Sequence, residues 1–277
     1  MTHDVERIHK ANADAWDETA GWYERRSDEL RRQLTEGGST LHEQERKLLD
    51  LLPPLASWCD LAVHLQCAAG FDTISLTNLG ARRAVGVDIS PNLIEIAEGL
   101  ARDVGAPASF RCTDVLEVDG MDASADLVYT GKGAVHWMFD LPAWAATIST
   151  ILRPGGWFLL FDFHPMMWMF REKSGELEVN PVSYFSPVIR YRDWASGHFA
   201  GSTADPPPAG AVKQLRPWPP SAVVQSLIGA GLEIAVFHEY PDSLSPDWSA
   251  YPGVDPATRG RVATTYAVMA RKPEGSS

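Results

Sequence analysis

The sequence predicts an α/β fold in which helices cover both faces of a mostly parallel sheet. Three observations predict this fold. Between residues 61 and 163, short apolar runs typical of buried strands alternate with stretches of helical periodicity. A small or polar residue ends each of these runs. Of the 277 residues, 45% are hydrophobic, which is enough to bury a large core. Strands that alternate with helices are connected by right-handed crossovers and pair in parallel.

The N-terminal region is predicted to be helical. Its apolar residues recur at helical spacing among acids and bases, which indicates one helix over residues 8–23 and a second over 24–52. We expect Gly37-Gly38 to interrupt the second helix and Pro53-Pro54 to end it. Residues 1–52 are therefore interpreted as a helical cap.

Five strands and three helices are predicted next. The strands are placed at residues 61–67, 83–87, 108–111, 125–129 and 157–163, and the helices at 72–79, 91–104 and 141–152. Ser90 has a side chain that suits an N-cap, and Pro91 suits the first helical position. The sequence Arg-Pro-Gly-Gly at 153–156 is expected to form a turn. Together with a helix at 221–231 and strands at 232–240 and 262–270, these elements form the predicted core, residues 53–164 and 221–277.

The segment 165–220 loses this periodicity. It is rich in proline, glycine and aromatic residues, and it is long for a plain connection. We interpret it as an insertion that forms a lid over a binding site. The alternative, in which it packs as a second small core, stays open.

Composition excludes several classes of partner. The formal net charge of −12 argues against binding to a nucleic-acid backbone, which needs a basic face. Cys59, Cys67 and Cys112 form no CxxC pair, so no metal site is expected. The polar first residues resemble no signal peptide, and no run is long enough for a membrane span. A cytoplasmic location is expected, and the oligomeric state is left open.

The first strand, turn and helix carry the main chemical motif, AVHLQCAAGFDTISLTNLGA. Ala68, Ala69 and Gly70 allow a ligand to approach the backbone closely, and the following helix offers unpaired N–H groups. Asp88 ends the second strand, at the distance expected of a ribose-binding acid. Small-residue turns before helices are common, so a nucleoside site and a plain turn both remain open on this motif alone.

Further segments, read together, give a family resemblance. They are VGVDISPNLIEIAEGLA, DLVYTGKGAVHWMFDL and ILRPGGWFLLFDFHP. With them the sequence resembles the class I S-adenosylmethionine-dependent methyltransferases, and within these the bacterial small-molecule branch with an HLQC-type first motif. The resemblance covers residues 16–163 and resumes in SLIGAGLEIAVFHEYP and VATTYAVMARKP. It implies a Rossmann-like sheet ending in an antiparallel hairpin, S-adenosylmethionine as cofactor and S-adenosylhomocysteine as its product.

The resemblance also implies a cofactor site by position. Asp88 would hold the ribose diol, Ile89 would pack on the adenine, and Asp114 with Val115 would contact the adenine edge. The remaining implied cofactor residues are Trp16, Trp22, Tyr23, Gln66, Cys67, Ala69, Gly70, Thr130 and Gly131. The sequence departs from the common pattern, since His64 replaces an acid and Gln66 and Ala68 replace glycines.

The acceptor site is predicted from histidines and aromatic residues. His136 follows the fourth strand and His164 the fifth, so either suits a base, as does the hydroxyl of Tyr23. His164 is the better candidate, because Asp162 precedes it by two residues and is expected on the same side of the strand. A structural role for each histidine stays open. The candidate acceptor-binding residues are Met166, Trp168, Tyr184, Phe185 and Trp218. Flat aromatic walls suit an indole-like or phenolic natural product of secondary metabolism.

Four functions are compatible with these patterns. The first is a small-molecule methyltransferase, whose acceptor atom is left open. A nucleic-acid or protein methyltransferase is disfavoured by the acidic charge and by the sequence Tyr-Thr-Gly-Lys at 129–132, where an Asn-Pro-Pro-Tyr motif would stand. A non-catalytic S-adenosylmethionine-binding module is the main alternative. A dinucleotide-dependent oxidoreductase is disfavoured by the incomplete glycine pattern.

Overall fold

A seven-stranded sheet forms the centre of the computed structural model, which describes residues 2–192, 210–241 and 250–275. Its strands are β1 (Leu61–Leu65), β2 (Arg83–Asp88), β3 (Ala108–Cys112), β4 (Ala125–Gly131), β5 (Leu152–Phe163), β10 (Glu233–Pro241) and β11 (Ala263–Arg271). They lie in the order β10-β11-β5-β4-β1-β2-β3. The pairs from β5 to β3 are parallel, whereas β11 pairs antiparallel with both β5 and β10. The predicted sheet and its C-terminal antiparallel hairpin are confirmed.

Helices cover both faces of this sheet. The helices of the core are α4 (Phe71–Asn78), α5 (Pro91–Val104), α6 (Leu141–Ile151) and α7 (Pro220–Gly229). Successive strand residues point to opposite faces, so Val128 and Phe158 pack with Trp144 of α6, whereas Leu127 and Leu159 pack on the other face. The two hydrophobic clusters hold the sheet between its helical layers.

The N-terminal region contains three helices: α1 (His3–Asp17), α2 (Ala20–Thr35) and α3 (Glu43–Leu49). The predicted boundary between residues 23 and 24 is wrong, because the first helix ends earlier, at Asp17. The hydroxyl and the amide of Thr19 both donate to the carbonyl of Trp16, at 2.6 and 2.9 Å, which ends α1. The predicted break at Gly37-Gly38 is confirmed, since Gly37 follows α2 with a φ of 81°.

Two predicted irregular segments are more ordered than expected. Residues 153–156 lie within β5, where the pairing with β4 shifts register, rather than in a free turn. Between residues 165 and 220, two small hairpins form, from β6 (Phe170–Lys173) with β7 (Glu176–Val179) and from β8 (Ile189–Tyr191) with β9 (Lys213–Leu215). Trp194, part of the predicted lid, lies outside the described residues.

The last helix, α8 (Pro256–Arg259), precedes β11. Throughout the described ranges, every helix is too short or too polar to cross a lipid bilayer.

Candidate active site

A cavity of about 450 Å³ lies at the carboxyl ends of β1 and β4, where the strand order reverses. Ligands bind at this point in open α/β sheets, and the volume is that of a typical small-molecule site. Predicted cofactor residues in its wall are Trp16, Trp22, Tyr23, Gln66, Cys67, Ala69, Asp88, Ile89, Asp114, Val115 and Gly131. The topology therefore brings together residues that are far apart in sequence.

The turn after β1 forms the floor of the cavity. Gln66, Ala68 and Gly70 all have positive φ values, of 60°, 45° and 77°. Gly70 lies behind the lining, where an added Cβ would come within 2.6 Å of the ring of Phe110. The turn is therefore pressed against the sheet, and the small side chains of Ala68 and Ala69 leave the cavity open above it.

Asp88 has its carboxylate fixed by the backbone. Oδ2 accepts from the amide of Ala68 at 2.8 Å, and Oδ1 accepts from the amide of Ser90 at 3.0 Å. Burial raises the pKa of this carboxyl above its usual range. Ser90 caps α5, as predicted, through the amide of Leu93, and its hydroxyl donates to Asp17 at the end of α1. The end of β2 and the N-terminal helix thus meet at the cavity.

Asp114 is paired with His9, a residue that the sequence patterns did not single out. Its Oδ1 accepts from the amide of Leu116 at 2.9 Å, and its Oδ2 lies 2.5 Å from Nδ1 of His9. His9, Asn12 and Trp16 all line the cavity from one face of α1. Their spacing of three and four residues was the available signal, because such residues share a helix face.

Aromatic rings from α1 and α2 close over the cavity. Trp16 packs edge-on against Trp137 with ring centroids 5.2 Å apart, and Trp22 packs against Tyr23 at 4.9 Å. Burial, reinforced by Asp88, raises the pKa of Tyr23 far above neutrality. The Tyr23 hydroxyl therefore stays protonated and suits a hydrogen-bond donor better than a base.

A buried polar cluster adjoins the cavity wall. Lys132 Nζ lies 2.6 Å from Asp72 Oδ1 and 3.6 Å from Glu45 Oε2. Thr40 donates to the same Asp72 oxygen at 2.6 Å, and the hydroxyl of Tyr129 donates to Glu45. Although burial opposes it, the charge of Lys132 holds the pKa of Asp72 below its ordinary value. Local sequence patterns did not predict this cluster, because α3, α4 and the loop after β4 meet only in the fold.

His64, which stands in place of the common acid, is neutral in this structure. It lies on β1, fully buried, and its Nδ1 is 2.9 Å from the hydroxyl of Thr73. Burial lowers the pKa of His64 to about 4. The carboxylate of Asp72, in the cavity wall, acts to raise the pKa of His64, but burial outweighs this effect.

The three predicted bases differ in their position relative to the cavity. Tyr23 lines the cavity, whereas His136 and His164 are not part of its lining. His164 Nε2 lies 2.8 Å from Glu239, and its Nδ1 accepts from the amide of Met166. His136 is buried beside the ring of Trp168, with centroids 4.9 Å apart.

The loop that carries His136 is held by a buried acid. Asp162 accepts from the amides of Gly133 and Val135 at 2.6 and 2.8 Å. Burial raises the pKa of Asp162 to about 6. Gly133 lines the cavity, and a Cβ there would come within 3.1 Å of Cε1 of His136. The imidazole of His136 thus lies next to the cavity wall at Gly133.

The predicted acceptor residues lie outside the cavity lining as it is formed by the described residues: Met166, Trp168, Tyr184, Phe185 and Trp218. The rings of Tyr184 and Phe185 pack edge-on with centroids 5.0 Å apart, and Phe185 is exposed. Met166 packs in a small cluster with Tyr251. Trp218 donates to the carbonyl of Met138 at 2.7 Å, and Met138 does line the cavity.

Two predicted cofactor residues also lie behind the lining. Thr130 is buried, and its hydroxyl donates to the side chain of Gln66 at 3.4 Å. Gln66 in turn donates to the carbonyl of Ala134 at 2.7 Å. Thr130, like Gly70, therefore borders the cavity through its neighbours rather than directly.

Comparisons with known proteins agree with this fold. Residues 63–160 match the family described as the methyltransferase domain. The malonyl-[acyl-carrier protein] O-methyltransferase of Hahella chejuensis is 34% identical over 95 residues, which are 34% of this chain and 33% of that relative. The chain thus matches about a third of the length of this curated relative.

Two solved structures are similar in fold. An S-adenosylmethionine-dependent methyltransferase from Mesorhizobium loti has a TM-score of 0.59 at 20% identity, over 82% of this chain and 96% of that chain. Geranyl diphosphate C-methyltransferase from Streptomyces coelicolor, solved with Mg²⁺, geranyl diphosphate and S-adenosylhomocysteine, has a TM-score of 0.56 at 14% identity, over 83% and 78%.

Residues 63–160 thus match a methyltransferase domain, and the chain shares its fold with S-adenosylmethionine-dependent methyltransferases. The cavity combines a backbone-fixed carboxylate at Asp88 with a turn of small residues, an arrangement that suits the nucleoside part of S-adenosylmethionine. The assignment to an HLQC-type branch stays a prediction.

Proposed function

We propose that this protein transfers the methyl group of S-adenosylmethionine to a small aromatic acceptor, an indole-like or phenolic compound of secondary metabolism. One observation carries the proposal. The cavity at the sheet edge combines acidic side chains at the ends of β2 and β3 with indole and phenol rings from α1 and α2. The acids suit the cofactor, and the rings suit a flat apolar acceptor.

The cofactor half of the proposal depends on Asp88. Each of its carboxylate oxygens accepts one backbone amide and keeps capacity for a further donor, as a ribose diol requires. Ala68 and Ala69 leave room for the ribose. When bound, S-adenosylmethionine supplies a methyl carbon already activated by the sulfonium. The carboxylate of Asp88 favours a cation in the cavity, whereas that of Asp72 is paired with Lys132.

The acceptor half depends on the aromatic wall. Trp16 and Trp137 meet edge-on, so the wall offers a flat ring face and a ring edge to the acceptor. Two tryptophans of the segment 165–220 lie behind this wall. Trp168 packs against the ring of His136, and Trp218 donates to the carbonyl of Met138. The proposed lid thus supports the acceptor site, and residues 1–52 close it as a cap. Alignment of acceptor and methyl carbon is the main contribution of the protein to the rate.

His136 is proposed as the base that removes the acceptor proton. It adjoins Gly133 of the cavity wall, on a loop that Asp162 fixes through two amides. His164 is instead proposed to be structural, since Glu239 and the amide of Met166 take its two ring nitrogens. His136→Asn is expected to lower kcat by about 100-fold or more for an acceptor that must lose a proton, with His164→Asn as the control at unchanged kcat.

The deciding experiment is calorimetric titration of the purified protein with S-adenosylmethionine, S-adenosylhomocysteine and NAD. Micromolar binding of both sulfur compounds and none of NAD is expected. Asp88→Ala should abolish binding, whereas Asp122→Ala, at an exposed site, should leave it unchanged. Binding of NAD in place of the sulfur compounds would overturn the proposal.

A second step separates an enzyme from a binding module. Radiolabelled S-adenosylmethionine is incubated with the protein and a panel of indoles and phenols. Label transfer that is lost in Asp88→Ala supports the enzyme. Tight cofactor binding without transfer to any indole, phenol or other small acceptor would favour the non-catalytic module instead.

A further inference from the structure

His9 carries an unused hydrogen-bonding atom at the cavity. The residue is 3% exposed, lies on α1 and lines the cavity beside Asp114. Its Nδ1 is 2.5 Å from Asp114 Oδ2, and its Nε2 is fully buried without a hydrogen-bond partner among the described residues. A buried polar atom without a partner is costly, so its presence beside a cavity indicates a function such as ligand recognition.

The partner of Nδ1 fixes what Nε2 can do. A carboxylate accepts hydrogen bonds, so a neutral His9 ring carries its proton on Nδ1 and presents the lone pair of Nε2. The Asp114 carboxylate is itself held, because Oδ1 accepts from the amide of Leu116. With the His9 ring in its neutral form, the pair places one aromatic hydrogen-bond acceptor in the cavity wall. The ring of Phe139, 6.4 Å away and edge-on, flanks the imidazole.

We propose that His9 reads the 6-amino group of the cofactor's adenine through Nε2, with Asp114 as its positioning residue. This inference rests on the proposed placement of the cofactor, in which the adenine lies beside Asp114. An exocyclic amine offers the N–H that Nε2 lacks, whereas a 6-oxo purine would set its oxygen against the lone pair. A site built to bond an N–H rejects an analogue without it far more strongly than an apolar pocket does.

Helix α1 thereby gains a function in specificity. The helix brings His9 to the end of β3, 105 residues away in sequence, and so completes the adenine end of the site. Both carboxylate oxygens of Asp114 are already hydrogen-bonded within the protein, so His9 is the residue of this pair that can contact the adenine.

The test compares two ligands by calorimetry on the full chain: S-adenosylhomocysteine and S-inosylhomocysteine, in which oxygen replaces the 6-amino group. The wild-type protein is expected to prefer the adenosyl compound by about 10- to 100-fold. His9→Asn keeps a donor near Asp114 but has no atom at the Nε2 position, and the preference should fall to within about threefold. His9→Gln places its amide oxygen near the Nε2 position and should retain most of the preference.

The outcomes separate the role of His9 from the proposed function. If the wild-type protein binds neither compound, the proposed cofactor site is wrong. If it binds both equally, or if His9→Asn keeps the wild-type preference, the cofactor site stands and the role of His9 is overturned. Thermal unfolding of each variant identifies a general loss of fold, and His9→Gln then carries the comparison.

Discussion

Glu45 is a carboxyl group that the fold buries completely, between the amine of Lys132 and the hydroxyl of Tyr129. Burial raises the pKa of Glu45 to about 7, and the charge of Lys132 offsets only part of this effect. In the unfolded chain the group ionises near its ordinary value of 4.5, so the folded state binds more protons between these two pH values. Stability is therefore greatest below the unfolded pKa and falls as the pH rises through the folded one.

Glu45→Gln should remove this pH dependence. We expect the difference in unfolding free energy, variant minus wild type, to rise by up to about 3 kcal/mol between pH 4.5 and pH 8, measured by urea unfolding. Glu43→Gln on the same helix is the control, because Glu43 is exposed and its carboxylate pairs with Lys47 on the helix surface. Parallel pH curves for wild type and Glu45→Gln would contradict the prediction.

At the scale of elements, two glycines with similar backbone conformations differ in the space around them. Substituting each by alanine distinguishes the cost of a steric clash from the cost of a left-handed backbone. Gly70, at the start of α4, has a φ of 77°, and a Cβ there would meet the ring of Phe110 at 2.6 Å and Cβ of Ala97 at 2.8 Å. Gly105, at the end of α5, has a φ of 69° and open space around it. Of these two glycines, Gly70 is the packed one.

Substitution by alanine should therefore cost different amounts at the two sites. Gly105→Ala should lower the unfolding free energy by about 1 kcal/mol, the cost of a left-handed conformation for alanine. Gly70→Ala should lose about 1–3 kcal/mol more, because the strand–turn–helix junction must move away from β3. Denaturant unfolding of both variants measures the difference, and equal losses would show that the packing against Phe110 relaxes freely.

Helix α1 is fastened to the strand β9 by one side chain. Asn12 Nδ2 donates to the carbonyl of Gln214 at 2.8 Å, and the amide of Gln214 donates to Asn12 Oδ1 at 2.9 Å. Asn12 is buried, so both bonds are shielded from water. Helix α1 and the segment 165–220 are thus linked directly, beside the cavity.

Breaking this link should loosen the cap. Asn12→Ala is expected to lower the unfolding free energy by about 1–3 kcal/mol and to speed amide hydrogen exchange in α1. Affinity for S-adenosylhomocysteine should fall several-fold, because α1 contributes His9 and Trp16 to the cavity. Lys10→Ala, at an exposed position of the same helix, is the control. Unchanged exchange in Asn12→Ala would show that the two bonds do not hold α1.

The same elements show what the sequence could predict. The alternation of strand and helix patterns, the cap at Ser90 and the acid ending β2 are local signals, and the structure has them at the expected places. The pairing of His9 with Asp114 spans 105 residues, and that of Glu45 with Tyr129 spans 84. Such contacts depend on how helices are laid over the sheet, which local periodicity does not specify. The hairpins within residues 165–220 are short strands with weak patterns, so the sequence predicts only irregularity there.

At the scale of the whole molecule, one ligand should couple the cap to the sheet. The cavity wall includes His9 and Trp16 from α1, the turn after β1, and Asp88 at the end of β2. A compound that fills it contacts elements that otherwise meet through a few side-chain bonds, such as that between Asp17 and Ser90. A ligand that binds only the folded state raises the stability of that state by mass action.

S-adenosylhomocysteine at 100 times its dissociation constant should therefore raise the unfolding free energy by about 2.7 kcal/mol. Protection from hydrogen exchange should extend over α1 as well as the strand ends, because the ligand bridges both. Asp88→Ala should show neither effect, and NAD should produce neither in the wild type. Protection confined to the sheet would mean that α1 does not close on the cofactor, and equal stabilisation by NAD would mean that the cavity recognises nucleotides in general. We expect only the sulfur compounds to stabilise the fold and to slow hydrogen exchange in α1. This expectation follows because the acidic side chains of the site lie at the strand ends, whereas its aromatic rings lie on α1 and α2.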